Sequence, residues 1–186
     1  LEFRRVLFRS GWGVIFPQYT ATEAERQKEV EAIREALQPL LRWREQKAGA
    51  RFAEWCQGTG KGFRVGVDNK NKYLARHGMG PGAADPDKVP YYLLIVGSPA
   101  DIPYRFQSQL DVDYAVGRIH FETLDEYAAY AANVVAGIGH AEERGFPPRL
   151  LWRCLGGDDA TQLSATQLTQ PLADKMRAAH PEWAVQ

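Results

Sequence analysis

The chain has two cysteines, Cys56 and Cys154, and four histidines, His77, His120, His140 and His180. A thiolate that attacks a carbonyl while a histidine carries the proton is the chemistry these residue types offer. His77 is the tempting base, because it stands in "HGMG" (77–80) just ahead of an apolar run. Its setting argues otherwise. Gly78, Gly80, Pro81 and Gly82 make a multiple turn, and a catalytic histidine must be held by packing and an orienting partner. The stretch therefore reads as a turn. Cys56, beside Trp55, and Cys154, inside an apolar run, read as small buried hydrophobes, since neither has an evident base or positive neighbourhood to activate it. His120 reads as an outward polar residue of a strand. His140 and His180 sit near helix C-termini, where an imidazolium is favourable.

Three other constellations can do chemistry. In "DVDY" (111–114), Asp111 and Asp113 stand at a strand entrance, and a spacing of two puts both carboxylates on one side of a strand. They are candidates to share a proton, hold a cation or bind a basic substrate group; a solvated strand end near Arg118 or Arg105 explains them equally. In "GGDDA" (156–160), Asp158 and Asp159 follow an apolar run and suit Mg²⁺, proton transfer or simple helix capping. "GTGKG" (58–62) lacks the phosphate-loop spacing and the helix that must follow it, so it reads as a flexible turn.

The elements that must position these residues follow from periodicity. "GWGVIFPQY" (11–19) reads as a strand ended by Pro17. A helix follows, opened by a Thr22–Glu25 capping box, with Val30, Ile33, Leu37, Leu40 and Leu41 on its apolar face, Pro39 kinking or restarting it, and Gly49 as its stop. Residues 51–90 are dense in Gly and Pro and read as irregular, with "FRVGV" a short strand at most. "YYLLIVG" (91–97) is continuously apolar, as in a strand buried on both faces of a parallel sheet. "SPADIP" leads out into a loop, and "YAVGRIHF" (114–121) is a second strong strand. Thr123 and Glu126 open a helix with Tyr127, Tyr130, Ala131, Val134, Val135 and Ile138 on one face, closed by Gly145. "RLLWRCLG" (149–156) reads as a strand, Ser164 with Gln167 or Pro171 in a first turn starts a last helix, and "WAVQ" reads as the start of one more strand. The alternation predicts an α/β fold, a three-layer sandwich with a mostly parallel sheet. Ligands of such sheets bind beyond the strands' carboxyl ends, here the loops after Gly97, Phe121 and Gly156.

Composition bounds the rest. Lys plus Arg equals Asp plus Glu at 23 each, so no net field favours nucleic acid or an acidic membrane as partner. No apolar run approaches the length of about 20 residues that spans a bilayer. Two distant cysteines make no disulfide framework or zinc site and lean towards a reducing, cytoplasmic compartment. "LEFRRVLFRS" (1–10) is similar to a translated sequencing adaptor and is read as a scar. The chain is read as an internal piece of a longer protein, in three parts: the scar at 1–10, a strand–helix and irregular region at 11–88, and the first part of an α/β domain at 89–186.

The run "VPYYLLIVGSPADIPYRFQSQLDVDYAVGRIHFETLDEYAAYAANVV" (89–135) resembles the gingipain-type cysteine peptidases and their caspase-like bacterial relatives. The likeness lies in an apolar strand ending in Val-Gly (Leu94–Gly97), an Asp-Ile-Pro turn (Asp101–Pro103), an acidic stretch (Asp111–Tyr114) and a strand ending in Val-Gly-Arg (Val116–Arg118), then a helix. "GWGVIF", "YLARHGMGPG" and "DDATQLSATQLTQPLADKM" resemble further parts of some uncharacterised members. The resemblance implies a caspase–haemoglobinase-like fold, a peptide or protein substrate, no cofactor, and a His-Gly and a Cys at the ends of successive strands. Those catalytic positions fall beyond Gln186, and neither His77 nor Cys154 matches them. It also implies an acidic residue in the primary specificity pocket, for which Asp111 and Asp113 are the nearest matches, although the connection to Val-Gly-Arg is much shorter than in gingipains. The alternative expectation is a non-catalytic caspase-like scaffold or sensor module. A nucleotide- or phosphate-binding α/β domain using "GSPADIP" or "GGDDA" is a third, without a complete phosphate motif.

Overall fold

The computed structural model describes residues 10–80, 82–144, 174–175 and 178. The chain divides into two compact units, Leu1–Ala136 and Gly137–Gln186. In the first, four strands form one sheet: β1 (Trp12–Ile15), β3 (Phe52–Trp55), β5 (Tyr92–Val96) and β6 (Ala115–Ile119), in the order β3-β1-β5-β6. Every neighbour pair is parallel, with Val14 opposite both Glu54 and Leu94, and Leu94 opposite Gly117. A two-stranded parallel piece, β2 (Pro17–Gln18) with β4 (Phe63–Arg64), extends beyond it. The expected α/β class with a parallel sheet is thus observed.

The strand order makes the chain turn back on itself. It leaves β1 towards β3, then crosses over β1 to β5 and continues to β6. Right-handed crossovers running in opposite directions put their helices on opposite faces. The core agrees. On one face Trp12, Val14, Leu94 and Val96 pack with Val30 of α1 (Ala24–Ala36), Leu40 and Leu41 of α2 (Gln38–Ala48), and Tyr127 and Ala131 of α5 (Leu124–Arg144). On the other, Ile15, Leu93 and Ile95 pack with Tyr73 and Leu74 of α3 (Lys70–Arg76) and with Phe106 and Leu110 of α4 (Tyr104–Leu110). This is why β5 is apolar at every position: its alternate side chains serve two cores. Fully buried Ile95 alone is worth about 2 kcal/mol.

Local chemistry sets the helix ends. Pro39 does restart the helix: α1 stops at Ala36 and α2 carries the proline in its first turn, where no N–H is needed. Gly49 ends α2 at φ 58°. The first capping box lies two residues earlier than expected, with the Thr20 N–H donating to Glu23 Oε2 at 3.2 Å; the Thr22–Glu25 pair does not form it. The Thr123–Glu126 box is present, with Thr123 N–H donating to Glu126 at 2.9 Å and Glu126 N–H donating back at 3.4 Å.

The region 51–90 is not irregular throughout, and this corrects the sequence expectation. It holds β3, which Phe52–Trp55 form by pairing with β1, and α3, opened by Asn69, whose Oδ1 accepts from the Lys72 N–H at 3.0 Å. The turn reading of 58–62 and the short strand at Phe63–Arg64 stand. α4 forms at Tyr104–Leu110, between the expected loop and the second strong strand, where the sequence pattern assigned no element. The expected strand at 149–156 and the final strand lie outside the described residues.

Candidate functional site

Beyond the carboxyl ends of β1, β5 and β6 lies a cleft of about 390 Å³. Its floor is Phe16, Val96 and Phe121, and α1 and α5 supply Val30, Ile33, Leu124 and Tyr127 as apolar walls. Tyr19, Arg26, Ser98, Asp101, His120 and Thr123 bring the polar groups. Two of the three loops expected to border a ligand site, those after Gly97 and Phe121, do so; the loop after Gly156 lies outside the described residues. The cleft sits where crossovers diverge from β1 and β5, the place at which open parallel sheets leave a crevice.

Asp101 organises one wall. Its carboxylate accepts from the Ser98 hydroxyl at 2.7 Å and from Arg26 at 3.0 Å, and also pairs with the Tyr19 hydroxyl. Burial first, and then this carboxylate, push the Tyr19 phenol well above its ordinary pKa. Tyr19 thus stays a neutral donor, and Arg26 lies over its ring at 5.6 Å. With three donors on one carboxylate, Asp101 is a cross-link between the first helix and the loop after β5, not a free base.

Arg118 holds the loop after β5 from the opposite face of the sheet, on which its strand partner Ile95 lies. From the end of β6 it donates to Gly97 O at 2.9 Å, Ile102 O at 2.7 Å and Gln107 Oε1 at 2.8 Å, and its guanidinium lies 5.1 Å over the Tyr104 ring. A planar fork with several donors suits this task, which one ammonium cannot duplicate. The loop it holds turns at Gly97, whose φ of 144° disfavours any side chain. Tyr127 closes the rim by accepting the Phe121 N–H at 3.1 Å.

The other sequence candidates fall elsewhere. Asp111 and Asp113 lie in the turn between α4 and β6. The period-2 argument for a shared face therefore does not apply to them. Asp113 accepts from Lys70 Nζ at 2.5 Å, and Asp111 accepts from the Val116 N–H at 3.2 Å. They stand at the amino end of β6 while the cleft lies at its carboxyl end, roughly 15 Å away at about 3.3 Å per residue. Cys56 is 4 % exposed and belongs to the core on the α1 side, whereas His77 packs on Trp55 in the opposite core. Cys56 and the Trp55 on which His77 packs belong to opposite cores, so no Cys56–His77 pair forms. His120 is exposed at the cleft rim. Cys154, Asp158, Asp159 and His180 lie outside the described residues. Tyr19 and Arg26 were not singled out from sequence. A Tyr and an Arg seven apart carry no motif, and only folding sets both against Asp101.

Among the described residues no cluster of His, Cys, Asp and Glu could hold a metal ion, and no helix is long and apolar enough to cross a membrane. No protein-family model matches the sequence, and neither curated proteins nor solved structures give a match.

Proposed function

We propose that this chain carries the first strand–helix units of a caspase-like, gingipain-type cysteine endopeptidase domain, a three-layer sandwich. The observation that carries the reading is the junction of the segments on which the resemblance rests. Val-Gly at the end of β5, the Asp-Ile-Pro turn and Val-Gly-Arg in β6 meet at one edge of the sheet, with Arg118 donating to Gly97 O and Ile102 O and Asp101 bonded to Ser98. Segments up to 21 residues apart in sequence are thus joined beside the cleft, which Gly97, Ser98 and Asp101 line. In this reading the border presents a peptide substrate to a thiolate and a histidine contributed C-terminal to Gln186. The thiolate would attack the peptide carbonyl and the histidine would protonate the departing amine. Cys56 and His77, on opposite faces of the sheet, take no part.

The test has two arms. Recombinant 11–186 gives no thiol-dependent cleavage of peptide substrates, and cleavage abolished by Cys154→Ala refutes the reading. A longer reading frame contains a downstream His-Gly and Cys and cleaves peptides in a thiol-dependent manner; a frame lacking both residues also refutes it.

A further inference from the structure

A second hollow, of about 530 Å³, lies between α3 and α4 on the face of the sheet opposite the cleft. Its floor is Phe63 and Phe106, both buried in the core that also holds Ile95. The cleft is floored instead by Phe16 and Val96, which belong to the other core. An occupant of this groove therefore leaves the cleft open. Val112 also lines the groove, with 78 % of its surface exposed, an aliphatic side chain that the described fold leaves uncovered.

Charge is unevenly shared here. The chain as a whole is neutral, with 23 basic and 23 acidic residues. The two helices that wall the groove, "KNKYLAR" and "YRFQSQL", carry Lys70, Lys72, Arg76 and Arg105 and no acidic residue. Arg64 adds an exposed cation beside Phe63. The nearby carboxylates are already committed. Asp68 pairs with Arg76 and accepts the Arg64 N–H at 2.9 Å, Asp113 pairs with Lys70 at 2.5 Å, and Asp111 accepts the Val116 N–H. Lys72 reaches the Val67 carbonyl at 3.5 Å, and among the described residues neither it nor Arg105 has a carboxylate partner. Asn71 and Gln109 also line the groove, and neither side-chain amide bonds to another described residue. An amide offers an acceptor and two donors, the complement of a peptide backbone.

We propose that this groove docks an extended, acidic segment of a partner protein, with an aliphatic side chain against Phe63, Phe106 and Val112 and a carboxylate against Arg105. Each part of the groove has its counterpart in such a segment. The apolar floor takes alternate side chains, which an extended chain presents on one side. The amides of Asn71 and Gln109 take its backbone. Arg105, planar and always charged, takes a carboxylate in a two-bond fork. Exposed cations steer and select a partner more than they tighten it, so the affinity is modest and falls with salt. The groove holds this role whatever reaction the cleft serves.

The experiment is fluorescence anisotropy on the full chain with a fluorescein-labelled peptide of alternating Glu and Leu, and with its counterpart of alternating Lys and Leu. The acidic peptide binds saturably, more tightly than the basic one, and its affinity falls as salt rises. Arg105→Glu weakens it about tenfold, since the reversal removes one attraction and adds one repulsion. Lys28→Glu, the same charge change at an exposed position of α1 on the other face, leaves it unchanged. Equal affinity for both peptides, equal weakening by both variants, or no saturable binding overturns the proposal. Should Arg105→Glu not fold, the wild-type side-chain amide resonances of Asn71 and Gln109 decide: they shift on addition of the acidic peptide, and unshifted resonances overturn the proposal. Tighter binding of a thymidine oligonucleotide, or a dimer of the chain that Arg105→Glu abolishes, assigns the groove to another occupant and overturns it as well.

Discussion

Replacing Arg118 tests whether the cleft border is one mechanical unit. Its guanidinium makes three hydrogen bonds of 2.7–2.9 Å, two of them to backbone carbonyls of the loop after β5. Hydrogen bonds to a charged group contribute about 1.5–3 kcal/mol each, but three bonds from one side chain are not additive, and this one is only half-buried. Burial lowers the Arg118 pKa, so part of the gain already offsets desolvation. The net cost of Arg118→Ala is then about 3 kcal/mol. With a urea slope of about 2 kcal/mol/M, the unfolding midpoint drops by roughly 1.5 M. Arg118→Lys keeps the charge but not the fork, and recovers less than half of the loss. Exchange at the Asp101 and Ile102 amides, both bonded to Ser98 O, distinguishes a loosened loop from a loosened protein. It rises in Arg118→Ala more than exchange at Leu94 does. A midpoint within about 0.3 M of wild type, with unchanged exchange at Ile102, refutes the clamp.

Three smaller perturbations probe neighbouring contacts. Tyr127→Phe leaves the Phe121 N–H without its acceptor and costs about 1 kcal/mol by urea unfolding. Asp101→Asn removes the carboxylate beside Tyr19, so the phenol, titrated by ultraviolet absorbance, ionises at lower pH than in wild type while burial still holds it above its ordinary value. Because the folded-state phenol is raised, its stabilising effect is present below pH 10 and is lost as pH rises above it; alkaline unfolding of wild type shows this loss and the variant shows less of it. Lys70→Met breaks a pair whose Asp113 side chain is 36 % exposed, so it changes stability by less than about 1 kcal/mol; a larger loss would show that the turn at 111–113 depends on it.

The strong strands were legible because burial on two faces leaves an unbroken apolar run, as in Leu93–Val96, and the Thr123–Glu126 box was legible because capping is a contact between near neighbours. β3 was not. Phe52–Trp55 contains Glu54, which is held by Arg34 from α1, and its strand character comes from pairing with β1, where Phe52 lies opposite Trp12. α4 was missed for a related reason: "YRFQSQL" places only Phe106 and Leu110 on its buried side, too few to register as a period. The opposite error affected Asp111 and Asp113, where a strand spacing was read into residues that follow a helix and turn.

Class and parallel pairing came from composition and periodicity, because those depend on which side chains must leave water. The choice of edge, face and partner came only from the fold. Whether Cys56 meets His77, whether Asp101 is a free carboxylate or a saturated cross-link, and what Arg118 holds all depend on which face a strand presents and which loops its carboxyl end adjoins. Those are relations between segments 20 to 80 residues apart, set by crossover handedness and strand order rather than by any local pattern.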